Sequence, residues 1–280
     1  MSFTQQQKRI VDRCVELYTD IFNEMVVDAD ETDAQRNAIA RSFVDAISEF
    51  GVAHSTEVWR AIQSAHVKRK SGALIDADTI SKVSSANQSW NKSSGHAFEQ
   101  SFCVKVNSSL IDTNVKFLLQ RELSKAINSN EILNKSRDMD IINGWLQSSA
   151  FDVYSIIESG GGKGTVFGCV QCKTSIRDRV TRDREPSLQA MSSHFWSAAV
   201  VVDGGFLQLP KFTAMVNGGS ADYPKNGWHG MYSYSDADNN GRIFALNDEL
   251  EPLVKHVITV SKDWQEERQW IDADKVFSIL

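Results

Sequence analysis

The sequence predicts a mixed α/β protein of the α+β kind: a central mixed β-sheet flanked by helices, with an all-helical region ahead of it. Three observations carry that expectation. Apolar residues recur at helical spacing from residue 4 to about 65, with no convincing period-2 alternation before residue 100. Two runs rich in β-formers, 151–159 and 165–175, flank the glycine-rich turn GGGKG, a hairpin signature. Beyond that hairpin, helical and strand patterns follow one another, which suits helices packed on a sheet.

The elements follow in order. Ile10, Cys14, Leu17 and Ile21 form one helical stripe; Ile39, Phe43, Ala46, Ile47 and Phe50 form a second. Asp30, Thr32 or Asp33 is placed to cap the second helix, and Gly51 to end it. Residues 1–88 are therefore expected to be an N-terminal helical region, and 89–280 a second domain. The polar stretch KVSSANQSWNKSSG (82–95) reads as a linker or an ordered surface loop. HAFEQSFCVKVNSSL predicts a helix with Phe98, Phe102 and Val106 on one face, and NVKFLLQRELSKAI a further helix. After the hairpin, SLQAMSSHFWSA (187–198) predicts a helix. AAVVVDG, KFTAMVNGG and HGMYSYSD predict short strands, and a closing helix should include 263–272.

The bulk numbers are those of an ordinary globular chain: 280 residues, 41% hydrophobic, 24% charged. A net charge of −6 excludes a globally basic nucleic-acid coat protein but not DNA binding through a local basic cluster. No run approaches the roughly 18 apolar residues of a membrane span, and MSFTQQQKRIVDRC lacks the apolar region of a signal peptide. Cys14, Cys103, Cys169 and Cys172 suggest a reducing compartment, so a cytoplasmic location is expected. CVQC is no metal pair, because strand residues three apart point to opposite faces. GGGKGT lacks the order of a P-loop, no G-x-S-x-G elbow occurs, and the histidines show no H-E-x-x-H spacing.

The chemistry concentrates around FGCVQCKTSIRDRV (167–180). Alternation puts Cys169, Gln171, Lys173 and Ser175 on one face of a strand and Val166, Gly168, Val170 and Cys172 on the other. Asp152, an acid between Phe151 and Val153, can meet Lys173 if the two strands pair through the turn. Such a pair is either a partly buried ion pair or part of a Mg²⁺ site, where oxygen ligands hold the ion and an amine handles phosphate and water. Arg177, Asp178 and Arg179 follow; arginine bonds bidentately to guanine and aspartate accepts from cytosine, although three charges at a strand end also suit a solvated run. From 163 to 184 there are six Lys or Arg against two Asp, an excess suited to phosphate, with Lys163, Arg182 and Arg184 as further contacts. HVKRK (66–70) either touches phosphate or ends a solvated helix. The 217–236 stretch either reaches DNA or connects strands with Trp228 packed beneath.

Asp152, Lys173 twenty-one positions later and the Arg177-Asp178-Arg179 triplet together resemble the PD-(D/E)XK type II restriction endonucleases, in the branch that cuts CCGG-containing or CC-N-GG sites. The resemblance covers about residues 95–205. It implies a restriction-endonuclease-like core in 89–280 and Mg²⁺-dependent cleavage of double-stranded DNA, leaving 5′ overhangs. Within it, Asp152 would ligate the metal, Lys173 would contact the scissile phosphate and water, and Glu99 would be the helical glutamate that helps build the metal site. Arg177 and Arg179 would read guanines and Asp178 cytosines. The chain departs from the pattern at Gln171, where an acid is usual, and at Phe151 in place of proline. In this branch the missing carboxylate comes from the helix after the triplet, which points to Glu185, with Asp183 and Gln189 as alternatives. A palindrome needs a subunit per half-site, so a homodimer on DNA is expected. The rival readings are a structure-specific or repair nuclease, a non-catalytic DNA-binding module, and a metabolic enzyme whose charge run is only surface.

Overall fold

A computed structural model of the chain describes residues 4–71, 77–175, 180–235 and 237–270. Helices α1 (Gln5–Met25), α2 (Glu31–Phe50), α3 (Ser55–Ser71) and α4 (Ala77–Ser109) lead into strand β1 (Val115–Leu119). Helices α5 (Gln120–Asn128) and α6 (Ser136–Ser148) precede the hairpin β2 (Val153–Gly160) and β3 (Lys163–Ser175). Then come α7 (Val180–Ser192), β4 (Trp196–Asp203), α8 (Pro210–Asn217), β5 (Gly230–Ser235), β6 (Ile243–Ala245) and α9 (Glu251–Trp270).

The six strands form one sheet in sequence order. β1, β2 and β3 pair antiparallel; β3 to β6 pair parallel, with α7 crossing over between β3 and β4. The turn between β2 and β3 needs Gly160, Gly161 and Gly162, all at positive φ, a conformation glycine adopts without a Cβ clash. β4 is buried on both faces: Trp196, Ala198, Val200 and Val202 join one cluster, Ala199 and Val201 another. That two-sided burial is usual for parallel strands covered by helices.

One face of the sheet carries α1–α4 and α9. Phe43, Trp59, Phe98 and Tyr234 meet edge to face there, with ring centroids 4.9–6.2 Å apart, tying α2, α3 and α4 to β5. The other face carries α5–α7 over Tyr154, Ile156, Val166 and Cys169, and α8 over Val201 and Met231. The expected mixed sheet between helices is therefore the fold.

Several local expectations change. The 82–95 stretch is helical, inside α4, because Ala86, Trp90, Ser93 and Ser94 pack into the core and tertiary burial outweighs their neighbours' loop propensity. The boundary expected at 88/89 thus falls within a continuous helix. The first half of NVKFLLQRELSKAI is β1, whose burial alternates once it pairs with β2. KFTAMVNGG is mostly α8: Pro210 opens it, and Met215 and Val216 supply its buried side. The helix placed at 187–198 runs instead from 180 to 192, and β4 begins at Trp196. In β3 the register skips Phe167, pairing Gly168 with Ser155 and Val166 with Ile156. That bulge turns Val166 to the face of Cys169, opposite Val170, which simple alternation does not foresee.

Candidate active site

Asp152 lies one residue before β2. Its N–H donates to the Val170 carbonyl (3.0 Å), and its own carbonyl accepts from the Gln120 N–H (3.2 Å), so the backbone is locked to β3 and α5. Its Oδ2 accepts from the Cys172 N–H at 2.7 Å and from Lys173 Nζ at 3.3 Å. The Lys173 and Asp152 side chains are 26% and 19% exposed: partly desolvated, yet within reach of a phosphate. Burial works against the Lys173 ammonium, but Asp152 and Asp183 outweigh it and raise its pKa above the ordinary lysine value. At neutral pH Lys173 is therefore a cation, a donor to phosphate and water rather than a base.

Glu99 approaches from α4. Burial and the charge of Asp152 push its carboxyl above the usual range, while His96, with Nδ1 3.1 Å from Oε2, and Lys173 pull the other way. Three of the expected residues, Asp152, Lys173 and Glu99, thus feel one another across β2, β3 and α4. Two carboxylates crowded together supply the oxygen donors that a hard divalent cation takes, and a cation there would relieve their repulsion. Among the described residues, no group of three or more His, Cys, Asp or Glu is gathered as a preformed metal cage.

The α7 candidates divide. Glu185 and Gln189 are exposed and face each other, Nε2 to Oε1 3.4 Å. Asp183 is half-buried, and its charge reaches Lys173. Arg182 is exposed on α7. Arg184 donates to the carbonyls of Met215 (3.1 Å) and Lys225, with its guanidinium 5.3 Å from the centre of the Tyr223 ring, so it braces α7 against the 215–228 segment. Lys163 stands exposed at the hairpin end of β3, ten residues and roughly 33 Å along the strand from Lys173. Arg177, Asp178 and Arg179 lie outside the described residues.

Two residues that the sequence left open have defined positions. Gln171 is 1% exposed and Trp228 is 1% exposed. Gln171 Nε2 donates to the carbonyls of Ala150 (3.2 Å) and Asp183 (2.8 Å), and its Oε1 accepts from Trp228 Nε1 (2.8 Å). A buried indole N–H needs an acceptor, which was the one sequence signal for this contact. Cys169 and Cys172 are free thiols buried in clusters on opposite faces of the sheet. HVKRK is occupied within the helical layer: His66 is buried, and Arg69 and Lys70 both pair with Glu31.

The sequence profile of the BsaWI restriction endonuclease type 2 family matches residues 127–270. Among solved structures, the chain is similar to restriction endonuclease BsaWI in a pre-specific complex with DNA. The two are 45% identical over 95% of this chain and 97% of that one, with a TM-score of 0.67. It is also similar in fold to restriction endonuclease AgeI in a specific complex with DNA, at 18% identity over 90% and 92% of the two chains and a TM-score of 0.59. No curated protein matches it.

Proposed function

Because the chain belongs to the BsaWI type 2 restriction endonuclease family, we propose that it cuts duplex DNA at a palindrome containing CCGG and leaves 5′ overhangs. As a family member it is a type II site-specific deoxyribonuclease. The observation that carries the siting of the reaction is the half-buried Asp152–Lys173 pair, with the charge of Glu99 on α4 coupled to both.

Mg²⁺ would be held by Asp152 and one α7 carboxylate, with Glu99 beside them, and when bound it supplies charge neutralisation at the phosphate and a more acidic water. The second ligand is Glu185 by the resemblance. A second reading assigns Asp183, because its charge already reaches Lys173. Lys173 donates to a non-bridging oxygen of the scissile phosphate and orients the attacking water. Asp152 holds the lysine ammonium in place, and its Cys172 N–H bond fixes the carboxylate on the strand. Arg177 and Arg179 would read guanines and Asp178 cytosines, four to six residues after Lys173 on the same segment. Arg182, exposed on α7, would meet a backbone phosphate. Arg184 would contribute charge from its brace, and Lys163 would meet the backbone only well away from the scissile bond.

A homodimer, one active site per strand, follows from a palindromic site. We assign residues 1–88 as a helical region that buttresses the sheet, joined through the unbroken α4 to the catalytic and recognition portion in 89–280, in a cytoplasmic enzyme. No helix among the described residues is long and apolar enough to cross a membrane. The test is digestion of a sequenced plasmid with Mg²⁺ and mapping of the ends. Discrete 5′-extended ends at CCGG-containing sites are expected; nonspecific nicking, or binding in Ca²⁺ without cleavage in Mg²⁺, would overturn the reading. Glu185→Gln and Asp183→Asn then decide the second ligand, since the true ligand loses cleavage and the other keeps it.

A further inference from the structure

Gln171 stands where the resemblance leads one to expect an acid, yet it makes three hydrogen bonds and is only 1% exposed, with almost nothing to offer a substrate. Both amide N–H groups are used, on Ala150 and Asp183, and the amide oxygen is used by Trp228. A carboxylate has no N–H to give and would set its charge against two carbonyl oxygens, so a glutamate could not make these bonds. The anchored points carry a pattern. Ala150 precedes Asp152 by two residues, Gln171 precedes Lys173 by two, and Asp183 is itself a candidate ligand two residues before Glu185. One amide therefore pins every strand and helix that delivers a group to the site, except α4 with Glu99. The segment that supplies Trp228 holds α7 a second time, through Arg184 on the Met215 and Lys225 carbonyls. Gly227 is packed so closely that a Cβ there would lie 2.5 Å from the Met215 oxygen and 3.1 Å from Arg184 Nε.

We propose that Gln171 is the positioning residue of this active site, and that Trp228 holds it in place. It sets the first turns of α7, with their carboxylates, against Asp152 and Lys173, and it touches neither DNA nor metal. This inference rests on the assignment of Asp152 and Lys173 as the reacting centre. It also accounts for the departure at 171: once α7 supplies the second carboxylate, the strand position is free to fasten α7.

The experiment compares Gln171→Glu, Trp228→Phe and Asp152→Asn with wild type by three measurements. These are single-turnover cleavage of a CCGG duplex in Mg²⁺, binding of that duplex in Ca²⁺, and exchange of the hydrogen-bonded α7 amides in 184–192 in metal-free protein. For Gln171→Glu we expect cleavage about 100-fold slower, the scale of a misplaced catalytic group, with duplex affinity within about threefold. Amide exchange in α7 should be about tenfold faster, the effect of one lost buried hydrogen bond. Trp228→Phe keeps the ring and loses the N–H, and should shift all three in the same direction by less. Wild-type cleavage by Gln171→Glu, or rescue of Glu185→Gln by it, would make 171 a latent metal position and overturn the proposal. Unchanged α7 exchange in both variants would overturn it as well. Should Gln171→Glu fail to fold, Trp228→Phe decides alone by the same readouts. Undiminished cleavage by Asp152→Asn would instead locate the error in the active-site assignment, and the proposal would fall with it.

Discussion

Two of the places where this molecule buries ionisable groups resolve the cost in opposite ways. In the helical layer, His66 is fully buried between α1, α3 and α4. Its Nε2 donates to the Ala86 carbonyl (3.1 Å) and its Nδ1 accepts from the Tyr18 hydroxyl (2.8 Å), so a neutral ring satisfies both nitrogens. Burial pushes its pKa down to about 4. Where β2 and β3 meet α4, Glu99, Asp152 and Lys173 are only partly buried, and like charges are held together. The first cluster has nothing left to offer a ligand. The second keeps unspent charge at a place a phosphate can reach. Stability and chemistry are thus separated by how completely a buried polar group is satisfied, not by whether it is buried.

The largest expected effect breaks the second cluster. Lys173→Ala should slow cleavage of a CCGG duplex by at least about 10³-fold, because a preorganised donor to the developing charge is gone. Calcium-supported binding of the same duplex should change far less. Equal losses in binding and cleavage would make Lys173 a general phosphate contact. Next in size is Glu99→Gln, which should cut about 10- to 100-fold more slowly, as outer partners of a metal site do. It should also melt at a higher temperature than wild type at pH 7. A carboxyl whose folded pKa is raised binds its proton more tightly in the folded state. It therefore subtracts stability as pH rises from the unfolded value through the folded one, and the neutral amide removes that penalty. A variant that loses both activity and stability would place Glu99 in the scaffold.

The two clusters were not equally legible in the sequence. Asp152 and Lys173 could be paired because the glycine turn and the β-former-rich runs on either side fix β2 against β3, a local inference. The role of Gln171 could not be read, because its partners lie 12, 21 and 57 residues away and no pattern in 165–175 announces them. β1 was hidden by the amphipathic α5 that follows it directly, and only pairing with β2 makes VKFLL a strand. The 82–95 part of α4 was hidden by serines and asparagines whose local preference is overruled by the burial of Ala86 and Trp90. His66 sat inside a run of basic residues that looked solvated, and its burial depends on Tyr18 and Ala86, 48 and 20 residues distant. Sequence spacing found the groups that meet across one turn and missed those that meet across layers.

The first cluster is tested by pH. His66 has its folded pKa depressed from 6.5 to about 4, so the unfolded chain binds the extra proton between those values. Stability is then complete above about pH 6.5 and falls as pH drops towards 4, by at most roughly 3 kcal/mol. His66→Gln can keep one hydrogen bond and cannot titrate, so its melting temperature should fall less steeply over that interval even if it starts lower. Identical slopes would assign the acid sensitivity to other groups. The smallest effect belongs to the surface of the same layer. Arg13 bonds both Glu16 (2.8 Å) and Glu49 (2.9 Å), yet all three side chains are about a third exposed or more. Arg13→Ala should therefore leave the melting temperature almost unchanged, and the difference should shrink further in high salt. A larger loss would mean that these helices depend on their ion pairs, and that the contrast with the charged cluster at Lys173 is one of degree only.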